Sequence, residues 1–274
     1  MGIAADSILE FDAALSALAW QVDLGVSEVV QDAPQNSFNL PEAAPWSRRA
    51  GAAEAAAPQL AQRRAAAPPL DAPIGPDPAL VAQTAALACD DLVSLRAAMA
   101  AFDLCELKRG ARTTVFSDGN PAARVMILGE APGREEDMEG RPCVGRAGQL
   151  LDAMFAAIGL SRSSPDRATA LYITNVMPWR PPGNRDPDPA EIAMMRPFVD
   201  RHIALVNPEV IVTLGNTPLE ALTGQRGILA VRGKWSEAFG RPLMPMTHPG
   251  YLMKNPAAKR EAWADLLAIK ARLS

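Results

Sequence analysis

The side chains of this 274-residue protein with the most chemical potential gather in three polar stretches. Residues 129–152 (GEAPGREEDMEGRPCVGRAGQLLD) hold Glu130, Glu136 and Asp137. Residues 175–189 (NVMPWRPPGNRDPDP) open on Asn175, and residues 247–260 (THPGYLMKNPAAKR) carry His248, one of only two histidines. A carboxylate can steady developing positive charge or orient water, an amide offers a donor and an acceptor side by side, and an imidazole exchanges hydrogen bonds near neutral pH. Each has a plainer reading when taken alone. A Glu after a strand is commonly a surface or capping residue, and an Asn in a loop caps turns. A His before Pro sits in extended backbone, where a structural hydrogen bond is as natural as chemistry. His202 falls inside a predicted helix and is read as structural.

Only elements that bring the three stretches together would give them a joint role, and the intervening sequence predicts such elements. Residues 124–129 (RVMILG), 171–176 (LYITNV), 209–214 (EVIVTL) and 242–247 (PLMPMT) are nearly continuous apolar runs, as strands covered on both faces must be. Helical spacing predicts helices at about 79–104, 146–158, 189–206, 216–223 and 257–272. Strand and helix in alternation imply a parallel sheet with right-handed crossovers and helices on both faces. Ligands bind such sheets beyond the carboxyl ends of the strands, which is where all three polar stretches fall. The 129–152 connection is also longer than a crossover requires, and loops of that length are usually functional.

The remainder of the chain sets bounds. Its three cysteines, Cys89, Cys105 and Cys143, are odd in number and widely spaced, which argues against a disulfide framework or a self-contained four-cysteine metal site and for a reducing, cytoplasmic location. No run approaches the roughly 18 apolar residues of a membrane span, and the opening MGIAADSILEFD is acidic where a secretion signal is basic, so no membrane association is expected. Residues 1–31 space Ile8, Leu9, Phe11, Leu15, Leu18 and Val22 as one amphipathic helix. Residues 32–78, rich in Ala and Pro, read as a linker too poor in large apolar groups to form a core, leaving 79–274 as the folded domain. Residues 1–100 carry 5 Arg, no Lys and 12 acids, net −7, whereas residues 101–274 carry 22 basic and 19 acidic residues, net +3. Charge compatible with nucleic acid therefore lies in the predicted folded domain.

Four blocks in order, GEAPGREEDMEGRPCVGRAGQLLD, YITNVMPWRPPGNRDPDPAE, VTLGNTPLEAL and THPGYLMKNPAAKREAWADL, resemble the family 4 branch of the uracil-DNA glycosylases over about residues 100–272. The resemblance implies a three-layer α/β/α sandwich with a central four-stranded parallel sheet. It implies hydrolysis of the bond between deoxyribose and a uracil flipped out of DNA, performed by a monomer. Asn175 then reads the O4 and N3–H edge of the base, Gly129 and Ala131 lie against it, and His248 donates toward O2 of the departing anion. Glu130 first, or Glu136, assists at the sugar; Ala131 stands where other branches place a water-activating Asp. In the last block Leu252 or Met253 would wedge into the vacated stack, with Lys254, Lys259 and Arg260 at phosphates.

Two departures qualify this resemblance. The family's 4Fe–4S cluster is held by four cysteines, and the matching positions here read Phe102, Cys105, Trp179 and Met195. Thiolates are required, so no cluster is expected, and a hydrophobic plug is expected to replace it as the brace. The family's base-stacking Phe is replaced by Cys143, which removes about 1–3 kcal/mol of grip unless Phe155 or Tyr251 substitutes, and widens the pocket toward other deaminated bases. The departures leave open a second reading, a weak or inactive relative serving as a DNA-binding accessory module. A nucleotide-binding reading of the glycine-bearing loops is weaker, because neither GxxxxGK[ST] nor GxGxxG is present.

Overall fold

The computed structural model describes residues 77–274; the N-terminal helix read at 1–31 and nearly all of the linker read at 32–78 lie outside the described residues. In chain order the elements are α1 (Pro78–Leu87), α2 (Leu92–Ala101), α3 (Leu107–Gly110), β1 (Ser117–Gly119), β2 (Val125–Gly129), α4 (Arg134–Glu139), α5 (Arg146–Ala156) and β3 (Leu171–Asn175). A 3₁₀ turn at Pro182–Asn184 then leads to α6 (Pro189–Val206), β4 (Val210–Leu214), α7 (Asn216–Thr223), α8 (Ile228–Val231), β5 (Ser236–Ala238), β6 (Arg241–Met246) and α9 (Pro249–Lys254). A second 3₁₀ turn, Pro256–Ala258, precedes α10 (Lys259–Leu273).

The strands form one sheet in the order β1-β3-β2-β4-β6-β5. Its four central strands are parallel, while β1 and β5 pair antiparallel at the two edges. The expected four-stranded parallel sheet is thus the middle of a six-stranded mixed one. The edge strands escape a sequence reading because SDG and SEA are three residues long and carry no apolar run. The continuous apolar strands resolve into two faces by the alternation of side chains. Met126, Leu128, Tyr172, Ile211 and Leu243 join one core with residues of α1, α2, α6 and α7. Val125, Ile127, Ile173, Val212, Met244 and Met246 join the other with Leu151 and Phe155 of α5, Leu252 of α9, and Ala262, Leu266 and Ile269 of α10.

The helical stretch read at 79–104 is two helices. Asp91 starts the second with a capping box: its carboxylate accepts from the Ser94 N–H at 2.7 Å, and the Ser94 hydroxyl accepts from the Asp91 N–H at 3.2 Å. The first begins at Pro78, capped by Asp77, inside the stretch assigned to the linker.

Candidate active site

β2 and β3 run side by side with Gly129 opposite Asn175. Their pairing continues past the strand ends, where Val176 N–H donates to Gly129 O and Met177 N–H to Glu130 O, both at 2.9 Å. This register puts Glu130 and Asn175 at the same level of the carboxyl edge. They line a cavity of about 250 Å³ together with Ala131, Glu136, Cys143 and His248. All three polar stretches therefore meet, as the strand pattern required.

The approach of the first two is close. A Cβ on Gly129 would lie 2.3 Å from Asn175 Oδ1, so only glycine leaves the amide where it stands. Asn175 is buried, with a side-chain face on the cavity. Burial raises the Glu130 carboxyl above the ordinary glutamate value; a hydrogen bond with the Thr217 side chain of α7 opposes that shift, Asp186 adds to it and Arg226 offsets it.

His248 caps α9. Its Nδ1 accepts the Gly250 N–H at 3.0 Å, which leaves the neutral ring's proton on Nε2. Burial lowers the imidazole's affinity for a second proton, against a smaller opposing pull from Glu136. The ring is thus held as a neutral donor.

Glu136 spends its carboxylate on the backbone. Oε1 accepts from Val144 N–H at 3.1 Å and Gly145 N–H at 3.0 Å, while Oε2 accepts from Gly133 N–H at 3.0 Å. It ties the two halves of the long 129–152 loop together. Asp137, grouped with the candidate site on sequence, lies outside the cavity. It is buried with Oδ1 accepting from the N–H groups of Arg112 and Thr113 at 2.9 and 3.1 Å, which makes it a loop anchor.

Cys143 does line the cavity, from a backbone with φ +52°, and burial pushes its thiol up to about 12. Neither aromatic suggested in its place does so. Phe155 is wholly buried in the second core, and Tyr251 is exposed on α9 outside the cavity. The last block also needs correction at Leu252, which is 0% exposed and packed in the second core, so it cannot wedge into DNA; Met253 beside it is 38% exposed. The difference is helical phase, since one residue's step around α9 turns the side chain from core to solvent. Lys254, Lys259 and Arg260 are exposed on the same segment.

Sequence reasoning passed over Arg185, Asn184 and Pro181, which line the cavity, and Thr217, which touches Glu130. The signal was at hand in the RPPGNR and GNTP strings. Arg185 is steered by a two-pronged pair with Glu191, at 2.7 and 2.9 Å.

Fold and site together define a class, an α/β sheet covered on both faces that gathers an amide, a neutral imidazole and a partly buried carboxylate in one cavity at its carboxyl edge. The profile of the Uracil DNA glycosylase superfamily matches residues 116–267, and the chain belongs to that superfamily. Similar proteins include the Type-4 uracil-DNA glycosylases of Sulfurisphaera tokodaii, Thermotoga maritima and Archaeoglobus fulgidus. The first is 36% identical over 191 residues, 66% of this chain and 84% of the relative. The second is 39% identical over 154 residues, 55% and 77% of the two chains. The third is 35% identical over 174 residues, 60% and 84%.

The resemblance brings with it the question of a 4Fe–4S cluster, and the side chains at the matching positions do not fit one. Phe102, Cys105, Trp179 and Met195 are at most 5% exposed and belong to a single apolar core. Phe102 meets Phe198 edge-on with ring centroids 5.5 Å apart, and the Trp179 indole donates to Thr114 Oγ1 at 3.1 Å. One thiol among four positions cannot supply the thiolates a cluster needs, and burial raises that thiol's pKa further from the ionised form. Among the described residues no group of three or more His, Cys, Asp or Glu could hold a metal ion, and no helix is long and apolar enough to cross a membrane.

Proposed function

We propose that this chain is a DNA-repair glycosylase that takes a flipped-out deaminated base, uracil first, into the cavity and hydrolyses its N-glycosidic bond. The observation that carries this reading is the convergence of Glu130, Asn175 and His248 on one cavity. A base inside a duplex is unreachable, so the enzyme must extrude it and read its Watson–Crick edge. The Asn175 amide matches uracil, donating to O4 and accepting from N3–H, and cytosine presents the opposite pattern. Uracil leaves as an anion whose charge reaches O2. A neutral His248 donating through Nε2 stabilises that charge more in the transition state than in the ground state. The sugar becomes cationic as the base departs. The Glu130 carboxylate supplies opposite charge and an acceptor for the attacking water, whose proton it can take because burial has made it a better base.

Glu136 acts here by position, since its oxygens already accept three N–H groups; the small Ala131 on the cavity wall lets the base approach closely, while Gly129, buried behind the lining, acts through the Asn175 amide it abuts. Cys143, smaller than the aromatic of the related pattern, leaves room for other deaminated bases such as hypoxanthine and xanthine. The enzyme works without an iron–sulfur cluster, its place being packed with Phe102, Trp179 and Met195. On the DNA side Met253 is the wedge and Lys254, Lys259 and Arg260 meet phosphates. Three free cysteines fit a reducing, cytoplasmic setting.

The deciding experiment is a nicking assay on oligonucleotides with single uracil, hypoxanthine or xanthine residues, run on the wild type beside Asn175→Ala and His248→Ala. Excision of uracil that both substitutions sharply reduce is the expected result. Equal cutting by all three proteins overturns the site assignment, and no cutting by the wild type overturns the activity.

A further inference from the structure

Arg162, in the connection between α5 and β3, belongs to no motif and touches none of Glu130, Asn175 or His248, yet its side chain is only 12% exposed. Its guanidinium is shared among four acceptors from three parts of the chain. Nη2 donates to Cys143 O at 2.7 Å and Nη1 to Pro142 O at 2.9 Å. Nη1 also reaches Asp118 Oδ2 on β1 at 3.1 Å, and Nε reaches Asp152 Oδ1 on α5 at 2.8 Å.

The turn it grips is held in an uncommon shape. Cys143 has φ +52°, a left-handed conformation that a non-glycine residue adopts only when its surroundings impose it. The turn presses on α5 so closely that a Cβ on Gly148 would sit 1.8 Å from Cys143 O. With the carbonyls of 142 and 143 drawn to Arg162 and the N–H groups of 144 and 145 drawn to Glu136, the turn is fastened from both sides. The Cys143 side chain is left lining the cavity.

We infer that Arg162 is a positioning residue for base selectivity, holding the 142–145 turn so that Cys143 keeps one wall of the base cavity in place. The inference rests on the cavity being the base pocket. A lysine cannot do the same work, because a single ammonium lacks the planar fork that reaches two adjacent carbonyls and two carboxylates at once.

The test compares the full chain with Arg162→Gln and Arg162→Lys. One arm follows alkylation of each cysteine by iodoacetamide, read by mass spectrometry. Removing a neighbouring cation would by itself leave the Cys143 thiol less ionised and slow its reaction. A rate that rises therefore reports exposure of the wall. The expected result for Arg162→Gln is alkylation of Cys143 faster by roughly tenfold, with Arg162→Lys between, while the buried Cys89 and Cys105 stay at wild-type rates. The other arm measures kcat and KM on uracil and hypoxanthine oligonucleotides. A rise in KM for uracil of about tenfold with kcat little changed, and a smaller preference for uracil over hypoxanthine, is expected. An unchanged or slower Cys143, equal acceleration of all three cysteines, or a loss confined to kcat overturns the inference. If the wild type excises no base, the proposed function fails, and the alkylation arm still judges the clamp by itself.

Discussion

Gly129→Ala isolates the alignment of Asn175 from everything else. The added Cβ would stand 2.3 Å from Asn175 Oδ1, where ordinary contact begins at 3.4 Å, so the amide must withdraw by about one ångström. Gly129 is not among the glycines with positive φ, and its other neighbours, Asn175 Cγ at 3.5 Å and Thr174 O at 3.6 Å, are at ordinary distance. Alanine therefore suits the strand backbone, and the lower entropy of its unfolded chain contributes about 0.5–1 kcal/mol toward stability, offsetting the cost of moving one terminal amide. Stability should hardly change. Activity should, because displacing a positioned group by about 1 Å costs roughly 10²-fold, or about 2.7 kcal/mol of transition-state stabilisation. Single-turnover excision from a uracil oligonucleotide, with the abasic product cleaved by alkali, measures it beside a thermal melt. Asn175→Ala sets the floor. The double variant should excise no more slowly than Asn175→Ala alone, since the glycine acts through the amide. Wild-type excision by Gly129→Ala, or losses that add in the double variant, would refute the placement of Asn175 as the base-reading group.

Glu130→Gln should lower kcat/KM and abolish its acid limb, which in the wild type lies above the usual glutamate range because burial raises the carboxyl's pKa. The same raised value means that stability from the protonated carboxyl is present at low pH and lost as pH climbs through it. Glu130→Gln should therefore melt no lower than wild type at pH 7, with the two converging near pH 4; a clear wild-type advantage at pH 7 contradicts this. Trp179→Ala should cost about 3–5 kcal/mol by opening a cavity in the core, whereas chelators should leave the wild-type melt unmoved. A brown protein with about four irons per chain would overturn the cluster-free reading. Leu252→Ala should destabilise by about 2–5 kcal/mol, while Met253→Ala should leave the melt unchanged and slow excision from duplex more than from single strands; the reverse pattern sinks Met253 as wedge.

Much of the frame could be read from pattern. The four apolar runs became the central strands within a residue of their expected ends, and helices 189–206 and 216–223 matched their expected bounds. Strand interiors between two helical layers must be apolar throughout, so their signal is strong. What failed depended on contacts rather than pattern. β1 and β5 exist because a neighbouring strand offers its free edge, and Leu252 and Met253 are equally apolar letters until helix α9 is set down on the core. Asp137 and Glu136, one place apart in the same acidic run, face opposite tasks, one anchoring residues 112 and 113 and the other binding the turn at 144 and 145.

The sequence by itself determined the four central strands and the longer helices between them, the edge where the polar stretches gather, and the mismatch between three apolar side chains and a thiolate cluster. The first two follow from residue type and period, the third from the residue types at the positions that the resemblance marks. Tertiary structure decided which acid faces the cavity, which ring nitrogen of His248 holds the proton, and that Arg162, distant from every motif, grips the cavity wall. These depend on the distance and direction between groups far apart in the chain, and only the packing of α5, α9 and the loops upon the sheet fixes them.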